Sequence, residues 1–289
     1  MVASGRDLLT TADGSAQVLD EARLDVTAQY LEGIVTAISA QPDHAGIAKL
    51  AGARIHGGFR KAVEEVLPGE STSRGVRFQL LDELPAALLQ SGRALRVAKI
   101  AIGGKGRSAP VDICSGWAAG GSAIAGFSEL GPPLNIGPTA PALVSPNDPL
   151  AWHETTPLPL HGTRRARRLD LWAENGRIWV ESFFRDSHVD GDGIETIVHE
   201  WTLTAEIDPV TRRFLSGDAK MGPLPFPECP GAAASAGRLS GMPADGLRRA
   251  VKSAFTGPST CTHLNDTLRS LEDVGALLDA LRAHEPLSS

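Results

Sequence analysis

Apolar and polar positions alternate along residues 177–205, a period of two that predicts β-strands. RIWVESFFRD (177–186) alternates enough for one strand. In the next, Ile197, His199, Trp201, Leu203 and Ala205 fall on one face and Val198, Glu200, Thr202 and Thr204 on the other. Asp208-Pro209 marks a turn, and RRFLSGDAKM (212–221) reads as a third strand. The period then lengthens. Leu247, Ala250, Val251, Ala254 and Phe255 recur at helical spacing, and Gly257-Pro258 ends that helix. A last helix carries Leu264, Leu268, Leu271, Leu278 and Leu281. Further upstream, ALRVAKIAIGG (94–104) reads as another strand, and Gly-Gly-Lys-Gly (103–106) as a flexible turn.

The chain also repeats itself. LAGARIHGGFRKAVEEVLPGESTSRGVRFQLLDELPAALL (50–89) lies over LSGMPADGLRRAVKSAFTGPSTCTHLNDTLRSLEDVGAL (239–277) after one deletion near Gly58. Arg60 pairs with Arg248, Val63 with Val251, Gly69 with Gly257 and Leu80 with Leu268. Upstream, YLEGIVTAISAQPD (30–43) is set over ETIVHEWTLTAEID (195–208), which places His199 and Glu200 against Ile34 and Val35. The expected fold is therefore α+β: two related halves in a pseudo-dimeric duplication, each an antiparallel sheet followed by helices packed on one face. The expected domains are 1–104, a first, degenerate half; 105–165, a Gly/Pro-rich crossover linker or lid; and 166–289, a second half carrying the site.

Length and composition narrow the class. The 289 residues are 42% hydrophobic and 21% charged, proportions of a folded globular chain. About 150 residues per domain suggests two domains. No run of eighteen apolar residues occurs, which argues against a membrane span. The start, MVASGRDLLTTADG, shows no secretory pattern. A net charge of -6 disfavours nucleic acid as partner. Three cysteines, Cys114, Cys229 and Cys261, are too few for a disulfide scaffold and suit a reducing cytoplasm. Neither a phosphate-binding glycine loop nor a Gly-x-Ser-x-Gly elbow appears, so nucleotide cofactors and common hydrolase chemistry lose weight.

The chemistry-bearing side chains gather in the second half. Asp43 to Leu50 spans 7 positions and Asp208 to Leu239 spans 31, about 24 more, and this insertion holds Glu228-Cys229 between prolines. Cys261, His263 and Asp266 sit where the last helix begins, and Cys261 and His263 face Ser73 and Gly75 in the repeat. Free N–H groups at a helix start favour a thiolate or a bound anion. Asp266, three positions on, could orient the His263 imidazole. A small buried core residue is the competing reading for Cys261, a satisfied core histidine for His199, and a plain proline-rich loop for Glu228-Cys229. Glu200 and His199 lie on opposite strand faces and should not enter one site. RDSHVDGDG (185–193) reads as an acidic loop without EF-hand spacing. Arg164, Arg165, Arg167 and Arg168 read first as a solvated linker face and second as an anion site. Trp201, Trp172 and Trp179 are candidates to line an apolar pocket, with core packing as the plainer role.

RRLDLW, RDSHVDGDG, VHEW, PFPECPGAAASAGRLSG and STCTHLNDTLRSL resemble a bacterial domain-of-unknown-function family, DUF 2889, over about residues 155–275. The same segments are more distantly similar to the iron–sulfur scaffold and SufE-like (SufE/NifU-like) fold. That resemblance implies a three-stranded antiparallel sheet followed by helices, with a cysteine opening a helix after the third strand and another opening the last helix. Cys229 and Cys261 match those two cysteines, and Glu200 falls near the scaffold's acidic loop residue. No third matching cysteine is found, and His263 follows Cys261 instead of preceding it.

Two functions follow as expectations. The first is a small-molecule enzyme without a nucleotide cofactor or any other, doing acid–base chemistry. A lyase is favoured over an isomerase or hydrolase, with retro-aldol carbon–carbon cleavage of an aromatic or hydrophobic substrate as the specific case. His263, Asp266, Cys261, Glu228 and Glu200 are its candidate catalytic residues. The alternative is a metal-binding or sulfur-handling module in which Cys229, Cys261 and His263 hold one zinc or iron. The expected partner is a small molecule, with a homodimer as a further option.

Overall fold

The computed structural model describes residues 1–55, 57–100 and 108–284. The chain divides into two units, residues 1–92 and 93–289, with the boundary inside one long helix. Both units are α+β.

In the first unit β1 (Val2–Thr10), β2 (Ala16–Gln29) and β3 (Ile34–Gln41) form an antiparallel meander in the order β1-β2-β3. Alternating burial along β2 and β3 sends Leu24, Val26, Val35 and Ile38 into the core. Helices α1 (Phe59–Val66), α2 (Glu70–Ser73) and α3 (Val76–Val97) follow, and Phe59, Val63, Leu81, Leu84 and Leu88 close the same core. Residues 94–97 therefore end a helix where a strand was expected. Leu, Ala, Gln and Arg around them favour helix and carry α3 on. Residues 101–106, with the expected glycine turn, lie outside the described residues.

The second unit begins with chain that the composition marks as a linker. It packs: a turn at Ser115–Trp117 and the short helix α4 (Ser122–Ala125) bury Ala123 against Phe226 and Cys229. Trp117 meets Phe127 edge-on at 5.9 Å, and Trp152 meets Phe183 at 5.9 Å. Then β4 (Thr163–Glu174), β5 (Arg177–Val189), β6 (Glu195–Ile207) and β7 (Phe214–Met221) form a four-stranded antiparallel meander. The four arginines belong to β4, and Asp186 and His188 belong to β5, so neither the solvated linker face nor the acidic loop is found as expected. Of that loop, Asp190 closes the β5–β6 turn, its Oδ1 accepting the N–H groups of Asp192 and Ile194, both at 2.9 Å.

A 3₁₀ segment (Cys229–Leu239), α5 (Leu247–Ala254), α6 (Thr262–Ser270) and α7 (Val274–His284) cover one face of this sheet. Trp201, Leu203, Ala205 and Ile207 of β6 meet Leu247, Val251, Leu264, Leu268 and Leu278 in the core. At about 25 cal/mol per Å², this burial is the main force holding helices to sheet. Among the described residues no helix is long and apolar enough to cross a membrane.

The two units share a local arrangement that corrects the upstream half of the repeat alignment. In the first, Val35 exchanges hydrogen bonds with the loop ahead of α1: its N–H donates to Ala53 O at 3.0 Å, and Gly52 N–H donates to Val35 O at 2.8 Å. In the second, Phe214 N–H donates to Met242 O at 2.9 Å and Gly241 N–H to Phe214 O at 2.8 Å. Left-handed glycines, Gly58 at φ 118° and Gly246 at φ 76°, then open α1 and α5. Phe214 thus takes the place of Val35, and His199 and Glu200, one hairpin earlier, do not face Ile34 and Val35. Val35 to Gly52 spans 17 positions and Phe214 to Gly241 spans 27, so the extra length is about 10 residues instead of 24.

Candidate functional site

The site is written on β4, β5 and β6 before any helix is added. Cross-strand register sets Arg165 opposite Asp186 and Asp186 opposite His199. Paired residues share a face, so these three lie on the helix-covered side with Phe184 and Trp201. The expected alternation on β6 holds from His199 to Ile207 and fails at Ile197. Asp186 pairs with His199 but Ser187 with Ile197, so Val198 is an extra residue, a β-bulge. A bulge turns every residue beyond it to the other face and re-aims its neighbours. Here Ile197 leaves the helix-covered face and Thr196 joins it.

Asp186 is wholly buried, and its carboxylate is met by the Arg165 guanidinium in two parallel bonds, Nε to Oδ1 at 2.9 Å and Nη2 to Oδ2 at 2.8 Å. A bidentate, desolvated pair of this kind is rigid, because removing either partner strands a charge. Arg165 Nη1 also reaches Asp266 Oδ2 at 3.3 Å, and Arg269 Nη1 donates to Asp266 Oδ1 at 3.1 Å. Arg167 donates to Ser270 Oγ at 3.0 Å and to the Asp266 carbonyl at 3.2 Å. Both arginines lie over the Phe184 ring, at 4.9 and 5.3 Å from its centroid. The sheet therefore grips the first turns of α6 through charge.

α6 begins one residue before His263, with Cys261 in extended conformation as its cap. This delivers the His263 ring onto His199: their centroids are 3.5 Å apart and the planes 21° from parallel. His263 Nε2 stands 3.8 Å from Asp186 Oδ2. Its Nδ1 meets Thr262 Oγ1 at 3.4 Å, and 23% of its side chain is exposed. His199 Nδ1 is buried and meets no hydrogen-bond partner.

Both imidazoles are held below their ordinary pKa. For His263 burial is the main cause; Asp186 and Asp266 pull upward and Arg165 pushes down. For His199 burial again leads, joined by His263 itself and by Arg165, Arg93 and Arg96. His188, on the same face of β5, is lowered to about 4 by burial and by Arg93. At neutral pH the stacked rings are uncharged, each with a nitrogen lone pair, beside a fixed ion pair. A protein can use such a pair as a proton acceptor.

Asp186, His199 and His263 also form the group whose possible ligand atoms lie within 4.8 Å of one another. Two histidines and a carboxylate are donors that an iron or zinc ion accepts. The geometry does not fit an ion as it stands. Imidazole lone pairs lie in the ring plane, and two nearly parallel rings at 3.5 Å cannot both aim at one point. Both Asp186 oxygens are already committed to Arg165.

The other expected residues fall elsewhere. Glu200 is on the opposite face of β6, paired with Arg185 Nε at 2.5 Å. Asp266 is engaged with Arg165 and Arg269, so it acts on His263 only across space and does not orient its ring. Glu228 caps α4, accepting from Ser122 N–H at 2.8 Å and Ser122 Oγ at 2.7 Å, which holds its carboxyl below the usual range. Cys261 is buried in the core. Its thiol is pushed up to about 12 by burial and by Cys114 and Cys229, and the N–H groups of Leu264 and His263 at the helix start do not offset this. The expected thiolate is absent. Cys229 behaves alike, raised to about 11. Ser115 ties the cysteine segments together, its N–H donating to Thr260 O at 2.7 Å and its hydroxyl to Glu228 O. Gly116 lies so close that a Cβ there would come within 2.7 Å of Cys229 Sγ. No cysteine belongs to the group around His263. Trp201 is core, whereas Trp172 and Trp179 pair with each other on the far end of β4 and β5.

Asp186 and Arg165 are the site residues that sequence reasoning passed over. A signal existed: Arg165 and Arg167 share strand parity with Leu169 and Leu171, and Asp186 and His188 share it with Val180 and Phe184. Charges at positions that alternation assigns to an apolar face mark a polar group the fold has buried on purpose or paired.

Residues 163–276 match the model of a family described as Protein of unknown function (DUF2889). The match runs from β4 into α7 and takes in every residue of the histidine site. No curated protein matches the chain, and no solved structure does.

Proposed function

We propose that the second unit is a small-molecule enzyme that moves protons without a nucleotide cofactor, and that a lyase reaction, retro-aldol cleavage of an aromatic or hydrophobic substrate, is the case it suits best. One observation carries the reading: the stacked, neutral His199–His263 pair held against the buried Asp186–Arg165 ion pair. His263, partly exposed, is the base. In a retro-aldol step it takes the hydroxyl proton, the oxygen's electrons form the new carbonyl, and the carbon–carbon bond breaks. The electron pair stays on the departing carbon, which the protonated imidazole can then protonate. His199 supports the ring by stacking, and Asp186, 3.8 Å away, favours the transient imidazolium. The low pKa of His263 keeps it free of a proton at neutral pH, ready to accept one. Cys261, Cys229, Glu228 and Glu200 are structural in this scheme.

The test is carbonyl release from a panel of β-hydroxy aromatic compounds, trapped with a hydrazine reagent. Wild type is expected to release an aldehyde, and His263→Ala to slow release by about 10²–10⁴-fold. No release across the panel, or equal rates in both proteins, would remove the reading.

A metal centre is the second reading, and the donor group just described favours Asp186, His199 and His263 as its ligands over the cysteines. It requires ring rotation and release of Asp186 by Arg165. Elemental analysis of purified protein at one zinc or iron per chain, lost in His199→Ala, would select it. We further read the two units as copies of one ancestral unit, β1–β3 corresponding to β5–β7 and β4 being added. The shared strand-to-loop bonds and the glycine-opened helices α1 and α5 support this. We read no sulfur-handling role into the similarity to the iron–sulfur scaffold and SufE-like fold, since burial holds both cysteine thiols above their ordinary pKa.

A further inference from the structure

Arg93 is a buried cation with too few partners. It is 6% exposed, and one hydrogen bond is seen, from Nη2 to the Asn135 carbonyl at 2.5 Å. Its Nε is buried and meets no acceptor. Arg185 is buried to the same 6%, but it has Glu200 Oε2 at 2.5 Å and the Pro141 carbonyl at 2.8 Å. Arg165, too, has its carboxylate. Among the described residues, no carboxylate meets Arg93. A guanidinium stripped of water and left without an anion is costly, and folds rarely keep one without a use for it.

Its position gives the use. Arg93 meets the Asn135 carbonyl, and Pro138, three residues on, accepts from Ile197 N–H at 3.0 Å beside the bulge that sets His199. The Arg93 charge also disfavours protonation of His188 and His199. Burial, joined by the positive charge of Arg96 one turn along α3, draws Arg93 down to about 10, still charged at neutral pH. Three buried polar atoms of these groups are without partners: Arg93 Nε, His188 Nε2 and His199 Nδ1. All three can serve an oxyanion, the arginine as a fork and a neutral imidazole through its N–H.

We propose that Arg93 binds the anionic group, of carboxylate or other oxyanion class, of the substrate whose proton the His199–His263 pair takes. The proposal names the substrate class of the site read above and rests on that reading. Arg93 is then a binding and specificity-determining residue. Its missing partner is the ligand, and its charge is compensated when the anion arrives.

The experiment measures binding, so it does not depend on turnover. Sodium benzoate, its neutral isostere benzamide and inorganic phosphate are titrated calorimetrically into the full chain at constant ionic strength. Wild type, Arg93→Met, Arg93→Lys and His263→Ala are compared, and each Tm is recorded. Wild type is expected to bind benzoate or phosphate at least tenfold more tightly than benzamide, and whichever of the two is tighter tells carboxylate from phosphate. Arg93→Met should lose that preference while keeping or raising its Tm, because an unpaired buried charge is removed. Arg93→Lys, with the charge but without the fork, should bind about tenfold more weakly, and it carries the test if Arg93→Met fails to fold. Equal affinity for anion and neutral isostere in wild type overturns the proposal, as does unchanged anion affinity in the folded Arg93 variants. His263→Ala should still bind the anion. If it binds and also turns over normally, the proton-transfer reading falls while the anion site stands.

Discussion

The two sheets finish their helix-covered faces differently. In the first unit the face is mostly apolar: Leu24, Val26, Val35 and Ile38 meet Phe59, Val63, Leu81 and Leu84, and at one end Asp20 accepts from Val76 N–H at 2.8 Å where α3 begins. In the second, an apolar floor of Trp201, Leu203, Ala205 and Ile207 gives way at one end to Arg165, Asp186, His188 and His199, with His263 laid on top. Hydrophobic burial, with one carboxylate holding a helix start, explains the first face. It does not explain the second, where ionisable groups displace side chains that would have packed at no desolvation cost. The difference locates function: one unit spends its sheet on stability, the other gives up stability to keep a charged, proton-accepting corner.

Breaking that corner should have the largest effect. Asp186→Asn leaves Arg165 buried and without its bidentate partner, and should cost about 3–5 kcal/mol in urea unfolding. Asp25→Asn in the first unit removes the exposed Arg23–Asp25 pair and should leave the unfolding midpoint where it is. Similar losses for both would erase the contrast.

His263→Ala comes next. It should slow turnover by about 10²–10⁴-fold and change stability by no more than about 1–2 kcal/mol, since the ring is partly exposed. A collapse of the fold in that variant would show a structural histidine.

The third effect is on pH. His188 sits at about 4 in the folded chain and near 6.5 when unfolded. The unfolded state therefore binds more protons between those values, so stability is complete above pH 6.5 and falls as pH drops towards 4. His199 and His263 are lowered too and add in the same direction. The loss from His188 should be on the order of 2–3 kcal/mol by pH 4, and His188→Gln should flatten that part of the curve. Midpoints taken at pH 7, 6, 5 and 4 check it.

The smallest effect concerns the thiols. Cys261→Ser places a hydroxyl in an apolar core and should cost about 1–2 kcal/mol with turnover unchanged. Native Cys229 and Cys261, both raised by burial, should resist a thiol reagent at pH 8 until the chain unfolds. Fast labelling of Cys261 in the folded protein would restore the reactive cysteine that its helix-start position suggested.

Much of this was legible in the chain. The alternation on β5 and β6, the helical spacing of Leu247 to Phe255, and the separation of His199 from Glu200 follow from period alone. His263 was singled out from its place at a helix start. What could not be read depends on geometry that one strand does not carry. The bulge at Val198 flips Ile197 and sets His199 beside Asp186, and nothing local to Val-His-Glu signals it. The repeat alignment sets β6 over β3, whereas it is the Phe214–Met242 hydrogen bond of β7 that resembles the Val35–Ala53 bond of β3. Cys261 was expected to feel the helix start, and it does, but burial among Leu264 and Leu268 outweighs a few N–H groups. Arg165 and Asp186 stand in the sequence as two separate charges, because their pairing is made across strands by residues 21 positions apart.

The central claim is that His199 and His263 are a neutral, stacked pair at working pH. Proton titration of both rings by long-range nitrogen–proton NMR tests it directly, with His199→Gln and His263→Gln assigning the signals. Both rings are expected to titrate below 6.5, and His199 is expected to move towards 6.5 when His263 is replaced. A His263 pKa at or above 6.5 in the wild type, or a His199 pKa unmoved by His263→Gln, would overturn it.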